Sequence, residues 1–595
     1  MEVFLSVTCH HTNGNWYVIL LHCFRNLTVI IPWTVLKPIL YDVNLPIVQI
    51  LEHVIPVGGK AKRHTMATPP KTVKITGPPG CGKSTYLKKQ IIRACERYFP
   101  NRIGAVTFTN AGVEEIKNKI SETTGESRNV AKNVRTIHSH CYGLLELNNK
   151  HIAEANIKEF NQAHPEFTLE SNRLSTHDDD EEAWMDTRHS EKLFAEMQVN
   201  RNRMIPESQW MPDVQSIWKA WKNWMAENNY IDFTGMLEKV LESKLKPDID
   251  ILFVDEAQDL SPLQFVLIKM WGEELNQTIY AGDSDQAIFR FSGTIPEAFI
   301  NLQHDWSYHL EQSYRVPRAV HDYADKIIGL SKNREVTTYK PVSPGMAEYK
   351  GGGRVCLCLS PDLTLEGTHM ILCRCKYQLK KWMEILERNN YIWHNPYRPE
   401  DRNWNPTLTQ SWIAARTYYD LMTGKSVSPS DFKTMVARLK PGFAKHGLKK
   451  QIKDWNPSRD KEKLDMFNLI IMGFTEDFVE HQMPVEEVLK LTPRVESILT
   501  RNRPACNAGQ PAMPKIMANG IPKIIVGSVH SIKGGEADHV WLDTSLSPII
   551  WREIRHSKEA FYDECRVAYV AATRAKQTLG LVSSRNWNPV LSQNI

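Results

Sequence analysis

No stretch of this chain is both long enough and apolar enough to cross a bilayer. The apolar runs 16–24 and 27–40 are separated by Arg25 and Asn26, and each falls short of the ~20 residues that a membrane helix needs. The opening MEVFLSVTCHH holds Glu2 and no basic cluster, so no secretory signal is expected. Cysteine is sparse and odd in number, 11 in 595 residues. That count and its spacing exclude a disulfide framework and point to a reducing, cytosol-like compartment. No repeat of solenoid period and no long disordered tract is present. A strong excess of one charge is also missing: 73 basic and 68 acidic side chains leave +5. That balance allows a nucleic-acid partner through a local patch but does not argue for one.

What is there reads as α/β. Residues 1–70 are rich in β-branched and aromatic side chains (WYVILLHCF, LTVIIPW) and are expected to form a small β-rich extension that ends in a Gly/Pro/Lys linker. From 71 to 303, short apolar runs end in polar or glycine loops: VKIT (73–76), AVTF (105–108), ILFVD (251–255) and TIYAG (278–282). Such runs, alternating with helical stretches, predict a parallel sheet with crossover helices. A polar helical insertion is expected at about 144–230. A second α/β set is expected over 304–595, opening near Tyr308 and resuming at MILCRC (370–375) and KIIVGSV (523–529). It carries its own helical insertion at about 395–520.

Residues 77–84, GPPGCGKS, fit G-x-x-x-x-G-K-[ST] between a strand and a helix, the context that gives the pattern meaning. Glycines let backbone N–H groups turn onto phosphate oxygens. Lys83 would neutralise the outer phosphates of a nucleotide, and Ser84 would ligand Mg²⁺. In ILFVDEAQD (251–259) an apolar strand ends in Asp255-Glu256. One carboxylate there suits the metal and its neighbour suits the attacking water. An isolated acidic pair would be an ordinary surface turn, but one directly after four apolar residues in a phosphate-loop chain is not.

In order, GPPGCGKS, AVTFTN, VRTIHSHC, DEAQD, GDSDQ, LEQSYR, SVHSIKGGEADHVWL and RVAYVAATRAK resemble the UvrD/PcrA/Rep branch of superfamily 1 DNA helicases across about residues 71–582. The resemblance implies two RecA-like domains with ATP and Mg²⁺ in the cleft, a helical insertion in each, and 3′→5′ movement on single-stranded DNA with unwinding of tailed duplexes. It implies nucleotide contacts from Gly77, Pro78, Pro79, Gly80, Cys81, Gly82, Lys83, Ser84 and Thr85. Ser84 and Asp255 would be the metal ligands and Glu256 the base. Gln286 would sense the γ-phosphate, Tyr314 would stack on adenine, and Glu536 would lie near the ribose. Arg315 and Arg574 would be arginine fingers. On the DNA side it implies Phe108, Thr109, His138, Phe289, Phe291 and His530, with Arg290 as a phosphate contact; flat rings grip any base.

Some positions depart from the family pattern. No adenine-reading glutamine motif precedes the phosphate loop, and Gln49 is the nearest upstream candidate. Thr85 stands in place of an arginine, Phe291 of a tryptophan, Ser292 of an arginine and Gly535 of a leucine. No nuclease motif follows, so a fused nuclease is not expected. Trp218, Trp221 and Trp224 at helical spacing read as packing before stacking. The C-x-C pairs Cys356/Cys358 and Cys373/Cys375 read as strand cysteines, not zinc ligands. The acidic run 178–182 reads as solvated. A cytoplasmic DNA helicase or translocase in a prokaryotic or viral setting is the leading reading. A DNA-stimulated ATPase switch or partner-loading module is the alternative, and an RNA helicase is a weaker third.

Overall fold

The structure, a computed structural model, describes three strands within residues 5–32 and most of residues 71–592; 33–70, 108–112, 118–131, 171–188, 398–404, 455–463, 465–472, 476–482, 502–522 and a few shorter stretches lie outside the description. The chain divides into two units, Met1–Pro69 and Pro70–Ile595. In the first, β1 (Leu5–Thr12), β2 (Asn15–His22) and β3 (Leu27–Pro32) form an antiparallel meander. Leu5 pairs with His22, and Tyr17 with Pro32. The sequence signalled β2 and β3. In β1 the polar run TCHHT hid the strand from an apolar search.

The second unit holds two six-stranded sheets, both parallel throughout. The first runs β6 (Val134–Arg135), β5 (Ile103–Val106), β7 (Ile251–Val254), β8 (Gln277–Gly282), β4 (Thr72–Thr76), β9 (Trp306–His309). Parallel strands are covered on both faces, so their sequences read as unbroken apolar runs. β7 shows how one run serves two faces. Ile251 and Phe253 pack with Leu87 and Ile91 of α1 (Lys83–Ala94). Leu252 and Val254 pack on the other face with Leu267 and Trp271.

The second sheet runs β10 (Arg354–Cys358), β15 (Ala575–Val582), β14 (Ala537–Asp543), β11 (His369–Cys373), β13 (Ile524–Ser528), β12 (Trp393–His394). α2 (Arg318–Ile328) and α3 (Lys558–Ala572) lie against one face, with Val320, Tyr323 and Ile327 in one core with Met370, Leu372 and Val570.

The second α/β set does not open near Tyr308. Trp306–His309 hydrogen-bonds beside β4, with Tyr308 opposite Ile75, so this strand closes the first sheet. A four-residue run carries no mark of the sheet it joins; its register against β4 decides. Between β6 and β7, helices at His189–Asn202 and Pro212–Asn228 surround a cluster of Phe160, Phe194, Trp218, Trp221 and Trp224. Trp221 lies 4.9 Å from the rings of both Phe160 and Phe194. These tryptophans are core. Between β12 and β13, helices at Gln410–Met422, Pro429–Arg438 and Pro493–Arg501 bury Trp412, Phe432, Val436 and Leu499. Among the described residues, Cys356, Cys358 and Cys373 are free thiols, and no three His, Cys, Asp or Glu side chains gather as a metal set. No described helix is long and apolar enough to cross a membrane.

Candidate active site

β4 delivers the chain into the glycine loop, and α1 starts at Lys83. Gly80 (φ 72°) and Gly82 (φ 77°) are left-handed, a conformation that costs a side chain most and glycine least. At Gly80 space is also lacking: a Cβ would come 2.4 Å from Arg315 Cβ. The loop is held by the segment that follows β9, since Ser313 Oγ donates to Pro79 O at 2.8 Å and Tyr314 N to Gly80 O at 2.8 Å. Lys83 is buried and donates to the carbonyls of Gly77 (2.6 Å) and Pro78 (3.2 Å). Burial pulls its proton affinity down, but nearby Cys81, Asp283, Glu256 and Asp255 outweigh that and raise it. Burial raises the Cys81 thiol, which keeps it neutral, so the carboxylates hold the ammonium.

β7 ends at Asp255. Burial, then Glu256, lifts its carboxyl to about 6, against a hydrogen bond from Ser84. The Ser84 hydroxyl and the Asp255 carboxylate are therefore adjacent hard oxygen donors, a set that fits a divalent cation such as Mg²⁺. Glu256 has φ 53°, strained for a non-glycine residue. Burial would raise its carboxyl, but Lys533, Lys83 and the Gln258 amide keep it low. Gln258 ties two loops: its Nε2 donates to Glu256, and its Oε1 accepts from Asp283 N at 2.9 Å.

The loop after β8 is a 3₁₀ turn at Ser284–Gln286. Gln286 Nε2 donates to Asp283 at 2.6 Å, while its Oε1 accepts from Arg574 Nη2 at 3.1 Å. Arg574 is fully buried at the end of α3. Burial and then Arg315 lower its proton affinity, though a guanidinium stays charged. Arg315 Nε donates to Glu536 at 2.6 Å, and Glu536 also pairs with Lys576; its carboxyl stays low because Arg315 and Lys576 overcome burial. Tyr314 is half exposed and Thr85 is exposed.

Lys533 was missed, although it lies inside the quoted SVHSIKGGEAD block. It donates to Asp259 and to Gln286 O (2.7 Å), and its ammonium lies 4.9 Å from the centre of the Phe289 ring. A lysine between glycines and a histidine carries no pattern that names its partner; only the meeting of the two sheets does.

Three residues past Gln286 the chemistry turns aromatic. Phe289 and Phe291 meet edge to face at 5.9 Å, and His530 lies 6.2 Å and 5.6 Å from them. Ser292 Oγ donates to Phe289 O at 2.7 Å, which closes the turn. Arg290 is paired with Asp563 of α3 at 3.1 Å. His138 sits apart from this group, edge-on to Phe233 at 6.1 Å. Phe108, Thr109, Gln49 and the acidic run 178–182 lie outside the described residues.

A glycine loop thus feeds one parallel sheet, and cations from a second parallel sheet reach its neighbouring loops. Residues 59–307 match the UvrD/REP helicase N-terminal domain, and the chain is similar at low identity to DNA helicases named PcrA, Rep and DNA helicase II. It is 25% identical over 360 residues to a probable DNA helicase II homolog of Mycoplasma capricolum, covering 53% of this chain and 48% of that one. It is 26% identical over 394 residues to the ATP-dependent DNA helicase Rep of Buchnera aphidicola, covering 61% and 56%. To DNA helicase II of Escherichia coli it is 24% identical over 299 residues, covering 46% and 40%. The chain spans about half the length of these curated relatives.

Proposed function

We propose that this chain is an ATP-dependent DNA helicase or translocase that moves 3′→5′ on single-stranded DNA and unwinds tailed duplexes. The observation that carries the reading is the turn 284–291. Gln286 is held by Arg574 and Lys533 from the second sheet, and Phe289 and Phe291 meet His530 a few residues later. A change at the Gln286 amide therefore reaches two rings suited to stacking on bases. Lys83 holds the phosphates, and Glu256, kept ionised by Lys533 and Lys83, orients and deprotonates the attacking water. Arg315 and Arg574 stabilise charge on the transferred phosphoryl group only while the two sheets are together. Ser84 and Asp255 would hold Mg²⁺, which supplies charge neutralisation on the phosphates. Tyr314, half exposed beside the loop, is the surface offered to adenine.

A second reading, a DNA-stimulated ATPase switch or partner-loading module with little unwinding, gains support from Arg290. Its guanidinium is engaged with Asp563, and Ser292 adds no cation, so the strand grip has fewer charges. Strand displacement on 3′- and 5′-tailed duplexes of DNA and of RNA separates the readings. ATP-dependent displacement of 3′-tailed DNA is expected. DNA-stimulated hydrolysis without displacement would favour the switch, and displacement confined to RNA would overturn both.

A further inference from the structure

Three consecutive residues that follow α2 leave the second sheet and grip the first. Asn333 Nδ2 donates to Glu297. Arg334 Nε lies 3.0 Å from both oxygens of Asp285. Glu335 accepts from Lys74 of β4 at 2.7 Å. Lys74 is itself fully buried, donates to Ile300 O at 3.1 Å and lies 4.8 Å from the Phe299 ring centre. The strap then runs beside β9: Thr338 O meets His309 Nε2 at 3.1 Å, and Ser313 N donates to Lys340 O at 2.9 Å. Two segments, 309–316 and 331–342, thus span the sheets, and they are hydrogen-bonded to each other.

Asp285 immediately precedes Gln286 within the Ser284–Gln286 turn. That turn is stiff, because Asp283 accepts both from Asp285 N (3.1 Å) and from the Gln286 amide (2.6 Å). Its outer side is held by Arg334 and by Arg566, which donates to Ser284 O (3.3 Å) and to Asn333 O. Its cleft side is held by Arg574 and Lys533. The Arg334–Asp285 pair is nearly enclosed, with side chains 9% and 3% exposed. A two-pronged guanidinium–carboxylate pair fixes direction as well as distance.

We propose that residues 333–335 form a hinge-side latch, with Arg334 a positioning residue that sets the Gln286 turn so that movement of the second sheet reaches the Phe289–Phe291 rings. The latch rests on the helicase or translocase reading for its consequence, but not for its existence. The test uses the full chain with Arg334→Gln, Arg334→Lys, Asp285→Asn and the double variant Asp285→Asn/Arg334→Gln. Hydrogen exchange over 283–293 and ATPase kinetics with and without oligo-dT are measured. Arg334→Gln is expected to speed exchange in that segment selectively and to lower DNA-stimulated kcat about tenfold, with KM for ATP within about twofold. Arg334→Lys, which keeps charge but not the fork, should fall between. The double variant should be no worse than the single ones.

Unchanged exchange over 283–293, a change in KM alone, or additive losses would overturn the latch. If the wild-type chain shows no DNA-stimulated ATPase, the helicase reading fails, and the exchange comparison still decides the latch. Should Arg334→Gln fail to fold, Arg334→Lys and Asp285→Asn carry the same comparison.

Discussion

Replacing Lys533 by methionine removes the ion pair that joins the two sheets beneath the turn. Asp259 is enclosed, and burial lifts its carboxyl to about 7, with Lys533 the largest opposing influence. Its Oδ1 has no hydrogen-bond partner among the described residues, and its other oxygen accepts from Lys533. The folded value lies above the ordinary carboxyl value of 3.8, so the native state binds the proton more tightly than the unfolded one. Stability therefore falls as pH rises from about 4 to about 7, by about 4 kcal/mol in all. In Lys533→Met the carboxyl moves higher still, and stability goes on falling above pH 7.

The cost of the substitution is thus pH-dependent. At pH 6, where Asp259 is mostly neutral, the loss is the hydrogen bonds to Asp259 and to Gln286 O, about 2 kcal/mol. At pH 8.5 an ionised carboxylate has lost its buried partner, and the loss approaches about 3 kcal/mol. Melting curves of both proteins at the two pH values read the gap directly. A gap that widens with pH is expected. A constant gap, or one that narrows, would refute the assignment of Asp259 as the titrating partner.

Lys83→Ala should lower DNA-stimulated ATPase by about 10²-fold or more while single-strand binding persists, checked by phosphate release and fluorescence anisotropy. Ser292→Arg should tighten single-strand binding and steepen its salt dependence by about one counterion, read from affinity against salt concentration. Trp221→Ala should destabilise the first helical insertion by about 4 kcal/mol, because the ring packs between Phe160 and Phe194 and donates to Asp232 at 2.9 Å; denaturant titration followed by tryptophan emission checks it.

Apolar runs made most of the sheets legible: ILFV (251–254) is a strand buried on both faces, and its register beside β5 and β8 follows. Residues 306–309 were assigned to the wrong sheet because WSYH is exposed and short, and nothing local distinguishes the edge of one sheet from the start of another. The turn 282–293 was readable because its amide and its rings are contiguous in sequence. Arg334 was not, since it reaches Asp285 from 49 residues away, on a charged loop that any surface could carry. Arg290 was read as a strand contact from its neighbours alone; its pairing with Asp563 depends on where α3 packs.

The central claim is that Gln286 and Phe291 act as one coupling element. Its most direct test is a double-mutant cycle, Gln286→Ala with Phe291→Ala, on the ratio of DNA-stimulated to basal ATPase. A coupled pair predicts that the double variant loses little more than the worse single one, an interaction energy of about 1 kcal/mol or more. Strictly additive losses would contradict the account.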